Sequence, residues 1–301
     1  MGNIIAIDAG ATNLRIALMG DNGRILSRAS FATDGPNLLE QFYAGIEAFE
    51  AFEGIAVAFA GPISRKEGAI LKAPNISAEK LYLVSTLEKK YGKKAVLMND
   101  CVAAVLAEKY YGAGKNHDNL AYVTISTGIG CGVIVDGKAL LGKDGNAHEV
   151  GHMVIDTISQ LKCGCGGRGH WEAYCSGKNM PQYAKHLIQT EYAGQPSALS
   201  ADGKNMSAEK LLGMENDKVA SEIIGKIGRL NAAGFANIIN VYDPEIITVG
   251  GSVALKNKRI LEDIKDSVQE YAINRLPEIR LTSLGEDICL YGAAAGFMYF
   301  G

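Results

Sequence analysis

The sequence predicts an α/β fold of two similar lobes, and three observations carry that prediction. Apolar strands alternate along the chain with helical stretches, the pattern of covered sheets in α/β layers. One design also occurs twice: an apolar strand, a loop of small residues, a second strand and an Asn-Gly or Asp-Gly hairpin turn. Finally, 301 residues with 48% hydrophobic and 21% charged content suffice for two domains with ample cores.

The first copy of the repeated design runs Ile4-Ile5-Ala6-Ile7-Asp8-Ala9-Gly10-Ala11-Thr12-Asn13-Leu14-Arg15-Ile16-Ala17-Leu18 and turns at Asp21-Asn22-Gly23. Apolar spacing then predicts a helix over 38–52, a strand over 55–59, a helix over 79–91, a strand over 95–98 and a helix over 102–111. The Gly-containing stretch 112–118 reads as the hinge between lobes. The second copy covers 121–135 and turns at Asp136-Gly137, with Gly128 lying 118 residues after Gly10. A long helix over 219–239, a strand over 245–249 and a helix over 291–300 follow. The first lobe is therefore assigned to 1–115, joined by a returning helix at 290–301, and the second to 116–289. The repeat suggests that the lobes face each other across a central cleft.

Bulk properties exclude several classes. A net charge of −3 argues against a nucleic-acid binder, which would show a basic stripe. No apolar run approaches the length of a membrane span, and the chain enters a strand by Ile4 with no secretory signal, so a cytoplasmic protein is expected. The six cysteines (Cys101, Cys131, Cys163, Cys165, Cys175, Cys289) are scattered apart from the cluster between 163 and 175. That is a reduced pattern with one candidate metal site, not a disulfide framework.

The glycine loops point to phosphate. Asp8-x-Gly10-x-Thr12-x-x-Arg15 sets a carboxylate at a strand end beside a glycine turn and a hydroxyl. Turn amides and Thr12 can donate to phosphate oxygens, and Asp8 can hold Mg²⁺ directly or through water. Ser126-Thr127-Gly128-Ile129-Gly130-Cys131-Gly132 offers a second cradle. It continues into the strand Val133-Ile134-Val135 instead of opening a helix, which rules against a dinucleotide fingerprint. Gly250-Gly251-Ser252 follows another strand and could seat an adenosine. Asn99-Asp100 comes directly after a strand and opens a helix, so Asp100 reads either as a helix cap or as a catalytic carboxylate.

The densest segment is His148-Glu149-Val150-Gly151-His152, followed by Cys163-Gly164-Cys165-Gly166-Gly167-Arg168-Gly169-His170-Trp171-Glu172. Thiolates and imidazoles at these spacings can close a tetrahedral Zn²⁺ site. Glu149 and Glu172 are not needed as ligands, and a metal-braced loop that presents acids suits a polyhydroxylated ligand. A purely structural knuckle would not call for the two carboxylates.

Together these motifs resemble the ROK family of sugar kinases and repressors, within the hexokinase/actin-like superfamily. The resemblance covers the whole chain and includes residues 8–15, Ala60-Gly61-Pro62-Ile63, Ala73-Pro74-Asn75, Asn99-Asp100, residues 126–132, Glu149-x-x-His152, the 163–172 knuckle, Ser176-Gly177, Gly250-Gly251 and Leu290-Tyr291-Gly292-Ala293-Ala294. It implies a two-lobed, ribonuclease H-like fold and an ATP-dependent kinase acting on the 6-hydroxyl of a hexose, glucose or N-acetylmannosamine being the leading substrates. It implies Asp100 as catalytic base, with Gly61, Asn75, Asn99, Asp100, Glu149, His152 and Glu172 at the sugar. Asp8, Gly10, Thr12, Asn13, Arg15, Thr127, Gly128, Gly250 and Gly251 would line the Mg·ATP, and His152, Cys163, Cys165 and His170 would ligate Zn²⁺. A homodimer or homotetramer is implied as well. A repressor of the family would carry a DNA-binding segment before the first strand, where only three residues precede Ile4. An actin-like assembly protein would need neither Glu149-x-x-His152 nor the knuckle.

This chain departs from the family pattern at three places. The knuckle ends Gly169-His170 where the family has Gly-Cys, leaving His170 and Cys175 as rival fourth ligands. His148 stands where the family tends to have Gly, and its imidazole could change which sugar fits. Ser126 and Cys131 replace glycines of the second phosphate loop.

Overall fold

The structure, a computed structural model, describes residues 2–71, 80–158, 161–199, 206–214 and 216–301. In chain order its elements begin β1 (Ile4–Ala9), β2 (Asn13–Met19), β3 (Ile25–Ala32), α1 (Leu38–Glu47), β4 (Gly54–Phe59), β5 (Ile63–Ser64), β6 (Ala69–Leu71) and β7 (Lys80–Leu81). They continue with α2 (Leu83–Tyr91), β8 (Lys94–Asn99), α3 (Asp100–Tyr110), β9 (Leu120–Ile125), β10 (Ile129–Val135) and β11 (Lys138–Ala139). Next are α4 (Glu172–Cys175), α5 (Met180–Thr190), α6 (Ala208–Leu212), α7 (Lys218–Tyr242) and β12 (Ile246–Gly250). The last are α8 (Ser252–Lys256), α9 (Arg259–Ser267), β13 (Glu278–Leu281) and α10 (Ile288–Phe300). Two compact units result: Met1–Asp118 with Gly132–Ala147 and Ser283–Gly301, and Asn119–Cys131 with His148–Thr282.

The first unit is built on a five-stranded sheet of order β3-β2-β1-β4-β8. β1, β4 and β8 run parallel, β2 pairs antiparallel to β1, and β3 pairs antiparallel to β2. β1 and β4 are buried along their whole length, which is why both read as near-continuous apolar runs, broken in β1 by Asp8. Alternation divides their side chains between two faces. Ile5, Ile7, Ile55 and Val57 pack with Phe42 and Ile46 of α1 and Leu83 and Leu87 of α2. The other face is lined by small residues and receives α10, where a Cβ on Gly54 would strike the Phe297 ring and one on Gly296 would strike Met98. α10 also lies against α3 so closely that a Cβ on Gly292 would come 2.0 Å from the Ala103 carbonyl oxygen.

The second unit holds β9, β12 and β13, which run parallel side by side, with the start of β10 on the outer side of β9. The 25-residue α7 is its longest helix, capped by Asp217, whose carboxylate accepts from the Ala220 amide at 2.9 Å. Its buried stripe, Ile223, Ile224, Ile227 and Phe235 among others, follows the helical period expected of a half-buried helix.

The alternating α/β architecture is as the sequence predicts; the differences lie at element ends, at an exposed edge, and in helices that were not foreseen, α5 (Met180–Thr190) and α9 (Arg259–Ser267). The helix expected over 38–52 stops at Glu47, and Ala51 turns to φ 52°. Phe49 and Phe52 still pack on the core from the following loop, so apolar spacing outlasted the helix. The helix expected from 79 begins at Leu83, because Lys80–Leu81 pairs with β6 as a strand. β3 was not foreseen: it is an edge strand, mostly exposed, without the alternation that marks a half-buried strand.

The α3–α10 contact gives a stability test. Gly292→Ala forces two helix backbones apart and is expected to cost about 1–3 kcal/mol in urea unfolding, the range for overpacked interiors. An unchanged unfolding midpoint would mean that the helices are not in backbone contact.

Candidate active site

In the first unit three candidate residues fall in one row. The register pairs Ala9 with Phe59 and Phe59 with Asn99, so Gly10, Gly61 and Asp100 follow the carboxyl ends of adjacent parallel strands. Such strand ends are where α/β sheets bind ligands. The Gly10 turn is tight, its amide donating to Asn13 O at 3.0 Å, and leaves Thr12 and Asn13 exposed. Gly61 follows β4 in a turn whose first residue, Ala60, donates its amide to Ala9 O at 3.0 Å.

The helix cap that competes with a catalytic reading of Asp100 is supplied by its neighbour. Asn99 is the N-cap of α3, and its Oδ1 accepts from the Cys101 amide at 2.8 Å and from Val102 at 3.4 Å. Asp100 is the first helical residue, half-buried, with Oδ1 2.9 Å from the Cys101 amide. Negative charge in that first turn is favoured by the helix dipole. With Oδ1 committed to the cap, Asn99 has its Nδ2 group to offer a ligand.

Asp8 is buried beneath this row. Its cross-strand partner Arg15 donates Nη1 to Asp8 Oδ2 at 3.2 Å, while Nη2 reaches Glu286 Oε2 at 3.1 Å. Burial pushes the Asp8 carboxyl from its ordinary 3.8 up to about 6; Arg15 opposes the shift and the charge of Asp287 adds to it. Arg28 grips both oxygens of Asp287, at 2.9 and 2.7 Å. Glu286 and Asp287 were not singled out from sequence, although two acids ahead of an apolar helix are a legible first-turn signal. Cys289 was missed too: its thiol points to the Asp100 carbonyl at 3.7 Å, and burial, with the charges of Asp8 and Asp100 adding, pushes its pKa well above the ordinary thiol value.

In the second unit the Thr127-Gly128 loop and Gly250-Gly251 also follow adjacent parallel strands, Thr124 of β9 pairing with Gly250 of β12. The loops touch through Ser126 Oγ and Ser252 Oγ at 3.1 Å. Gly251 has φ +88°, and a Cβ there would sit 2.5 Å from Ile125 O, so only glycine fits this approach.

The knuckle is a short antiparallel ribbon with bridges Val154↔His170 and Lys162↔Arg168. It gathers His152, Cys163, Cys165 and His170, each with one ligand atom within 4.8 Å of the others. Cys163 Sγ lies 3.8 Å from His152 Nδ1, and Cys165 Sγ lies 3.3 Å from His170 Nδ1. A tetrahedral zinc site has a sulfur–nitrogen edge of about 3.6 Å, so these separations suit Zn²⁺. Burial, with the charges of Glu172 and Cys165 adding, pushes the Cys163 thiol up to about 11, so a bound cation is what would hold its thiolate. Cys175, the rival ligand, lies fully buried on α4 and points to Ile227 O at 3.6 Å, outside this cluster.

The carboxylates border the cluster. Glu149 is exposed, with Oε2 3.9 Å from His152 Nε2, the nitrogen on the opposite side of the ring from Cys163. Glu172 is half-buried; Oε2 accepts from the Ile129 amide at 3.0 Å and Oε1 lies 3.6 Å from Cys163 Sγ. His148 stands at φ 54°, a left-handed backbone that glycine adopts far more readily. Its buried Nδ1 lies 2.6 Å from Cys131 O, so that nitrogen carries the proton and is turned to the backbone. Asn75 lies outside the described residues.

The model of the ROK family matches residues 4–298 of the chain. A glucokinase of Pyrobaculum calidifontis is 40% identical over 297 residues, covering 98% of this chain and 95% of that protein. Among solved structures, a ROK family glucokinase from Streptomyces griseus in complex with glucose and AMPPNP superposes with a TM-score of 0.81 at 29% identity, with 100% of both chains covered. A ROK hexokinase from Thermus thermophilus gives a TM-score of 0.84 at 27% identity, covering 99% of this chain and 100% of that one.

Two tests follow from this geometry. Metal analysis of purified variants should show that His170→Ala loses zinc whereas Cys175→Ala keeps about one per chain; the opposite pattern would make Cys175 the fourth ligand. The second concerns Asp8, whose folded-state pKa of about 6 exceeds the ordinary 3.8. Folding then takes up a proton between these values, so stability falls as pH rises through that window, by up to about 1.4 kcal/mol per unit. Asp8→Asn, unfolded in urea without magnesium, should lose that slope; an identical slope in the variant would assign it to another group.

Proposed function

The chain belongs to the ROK family, and on that premise we propose that it is an ATP-dependent hexose kinase transferring a phosphoryl group to the 6-hydroxyl of glucose or a close relative. The observation that carries this reading is the row of Gly10, Gly61 and Asp100 at the ends of three parallel strands, with Asp8 beneath it. That arrangement aligns a phosphate-approaching turn with a carboxylate at a helix start.

Asp100 accepts the proton of the attacking hydroxyl, and Asn99 donates its Nδ2 to orient that hydroxyl. The transition state of phosphoryl transfer is loose, so Asp100 need not be a strong base and positioning counts for more than basicity. The turn at Gly10–Thr12 donates to phosphate oxygens, and the Thr127-Gly128 loop and Gly250-Gly251 line the nucleotide. Asp8 is the carboxylate that would hold Mg²⁺, which when bound neutralises charge on the phosphates. Glu149, His152 and Glu172 take sugar hydroxyls; His152 turns Nδ1 to the cysteines and Nε2 to the Glu149 side, which supports a double role as ligand and sugar contact. The four knuckle residues would hold Zn²⁺ to brace Glu172.

No helix among the described residues is long and apolar enough to cross a membrane. A reducing, cytoplasmic setting is the one we expect from the scattered cysteine pattern of the sequence. A homo-oligomer is the assembly we expect from the family resemblance.

A coupled ADP-release assay over a panel of hexoses tests the activity, with glucose expected among the best acceptors. In the same assay Asp100→Asn should lose about 10²–10⁴-fold in kcat, the range for a lost general base, with little change in sugar affinity. Near-normal turnover of that variant would reduce Asp100 to a structural carboxylate. Absence of phosphorylation with every hexose would overturn the kinase reading.

A further inference from the structure

Glu172 occupies an unusual place for a sugar ligand, because its carboxylate is anchored in the loop read above as a nucleotide cradle. Oε2 accepts from the Ile129 amide at 3.0 Å, and a Cβ on Gly128 would lie 2.6 Å from the same oxygen. The loop thus rests directly on this side chain. It is fastened again just beyond α4, where the amides of Gly177 and Lys178 donate to the carbonyls of Ser126 and Thr127 at 2.7 and 3.3 Å. Asn179 Nδ2 closes the arrangement by donating to Glu172 O at 3.1 Å and to Ser176 Oγ at 3.0 Å.

The other end of this short helix is fixed just as firmly. Trp171 is fully buried, and its indole N–H donates to Asn231 Oδ1 on α7 at 2.9 Å. A Cβ on Gly234 would overlap the indole ring at 2.4 Å, so α7 leaves room for this one side chain. Glu172 therefore directly follows a residue anchored in α7, and its own carbonyl is held by Asn179, while its side chain reaches the loop. It has little freedom to release the Ile129 amide without changing where the loop sits.

We propose that Glu172 is a positioning residue for the Thr127-Gly128-Ile129 nucleotide loop in addition to its place at the sugar, so that one carboxylate sets the geometry of both substrates. The proposal rests on the reading of that loop as a nucleotide cradle. A sugar ligand with no other task would leave nucleotide binding alone when removed.

The test measures binding of a non-hydrolysable ATP analogue with magnesium, in the absence of sugar, to the zinc-loaded protein by calorimetry. Glu172→Ala is expected to weaken nucleotide binding about tenfold, the effect of losing one hydrogen bond to a charged acceptor. Glu172→Gln keeps a carbonyl oxygen at the same reach and should restore nucleotide affinity to within about threefold of the wild type. Hydrogen exchange should be faster over 126–131 in Glu172→Ala, with α7 unchanged. Unchanged nucleotide affinity in Glu172→Ala would overturn the proposal and leave the sugar role standing. Weakened nucleotide binding in Glu172→Ala with unchanged glucose affinity, titrated in the same calorimeter, would uphold the loop-positioning role and overturn the claim that one carboxylate serves both substrates. Failure of the wild type to bind the analogue would instead overturn the kinase reading itself. If Glu172→Ala misfolds, Glu172→Asp, one methylene too short for the Ile129 amide, is read against the same outcomes.

Discussion

The backbone of α3 is pressed from two sides, and the geometry of the first unit follows from that. A Cβ on Gly132 of β10 would come 2.0 Å from the Cys101 carbonyl oxygen, and one on Gly292 of α10 would come 2.0 Å from that of Ala103. Backbone-to-backbone approach of this kind leaves no slack for α3 to slide or turn. Asp100 opens this helix, so its carboxylate is fixed by main-chain contacts a residue or three away and not by long side chains. Close packing transmits position, and a reacting group misplaced by about 1 Å can lose about 10²-fold in rate. Gly132 falls in the second phosphate-type motif, yet its glycine is explained by this contact.

The second unit reaches rigidity by different means. Its candidate site segment is a loop too polar and too rich in glycine for a core, tied by a two-bridge ribbon and by a buried tryptophan held by Asn231, and it gathers the nitrogen and sulfur atoms of His152, Cys163, Cys165 and His170. Where α3 relies on small residues, the knuckle relies on directional bonds. The carboxylates beside it inherit that order to different degrees: Glu172 is tied to the Ile129 amide, while Glu149 stands exposed, with His152 Nε2 3.9 Å from its Oε2.

How much was legible in the sequence depended on how local the signal was. β1 and β2 with the Gly10 turn, the 121–135 repeat and the glycines after β12 were readable because strand, turn and strand are encoded within about fifteen consecutive residues. The candidate metal cluster was readable as a set, since spacing restricts ligands. The choice between His170 and Cys175 was not, because Cys175 lies only five residues on and turns away through the helical twist of α4. Nor could the sequence reveal that Asn99 and not Asp100 caps α3; both residue types serve, and one residue's shift decides. The long-range pairs Arg15–Glu286 and Arg28–Asp287 lie 271 and 259 residues apart and leave no periodic trace. The left-handed backbone at His148 was hidden for a simpler reason: glycine would announce it, and histidine does not.

The seating of α10 on β1, β4 and α3 bears on how this chain leaves the ribosome. The last residue of the first long segment of its unit is Asp118 and the helix begins at Ile288, a gap of 288 − 118 = 170 residues. At about 5–20 residues per second that interval lasts roughly 10–30 s. Throughout it the small-residue face of Gly54, Ala56 and Ala58 has no helix to cover it, and the sheet stands half-dressed while the second unit is synthesised. Nascent-chain aggregation and the demand for chaperones should therefore be set by the delivery of α10, making the timing of translation a determinant of yield that no property of the finished molecule would disclose.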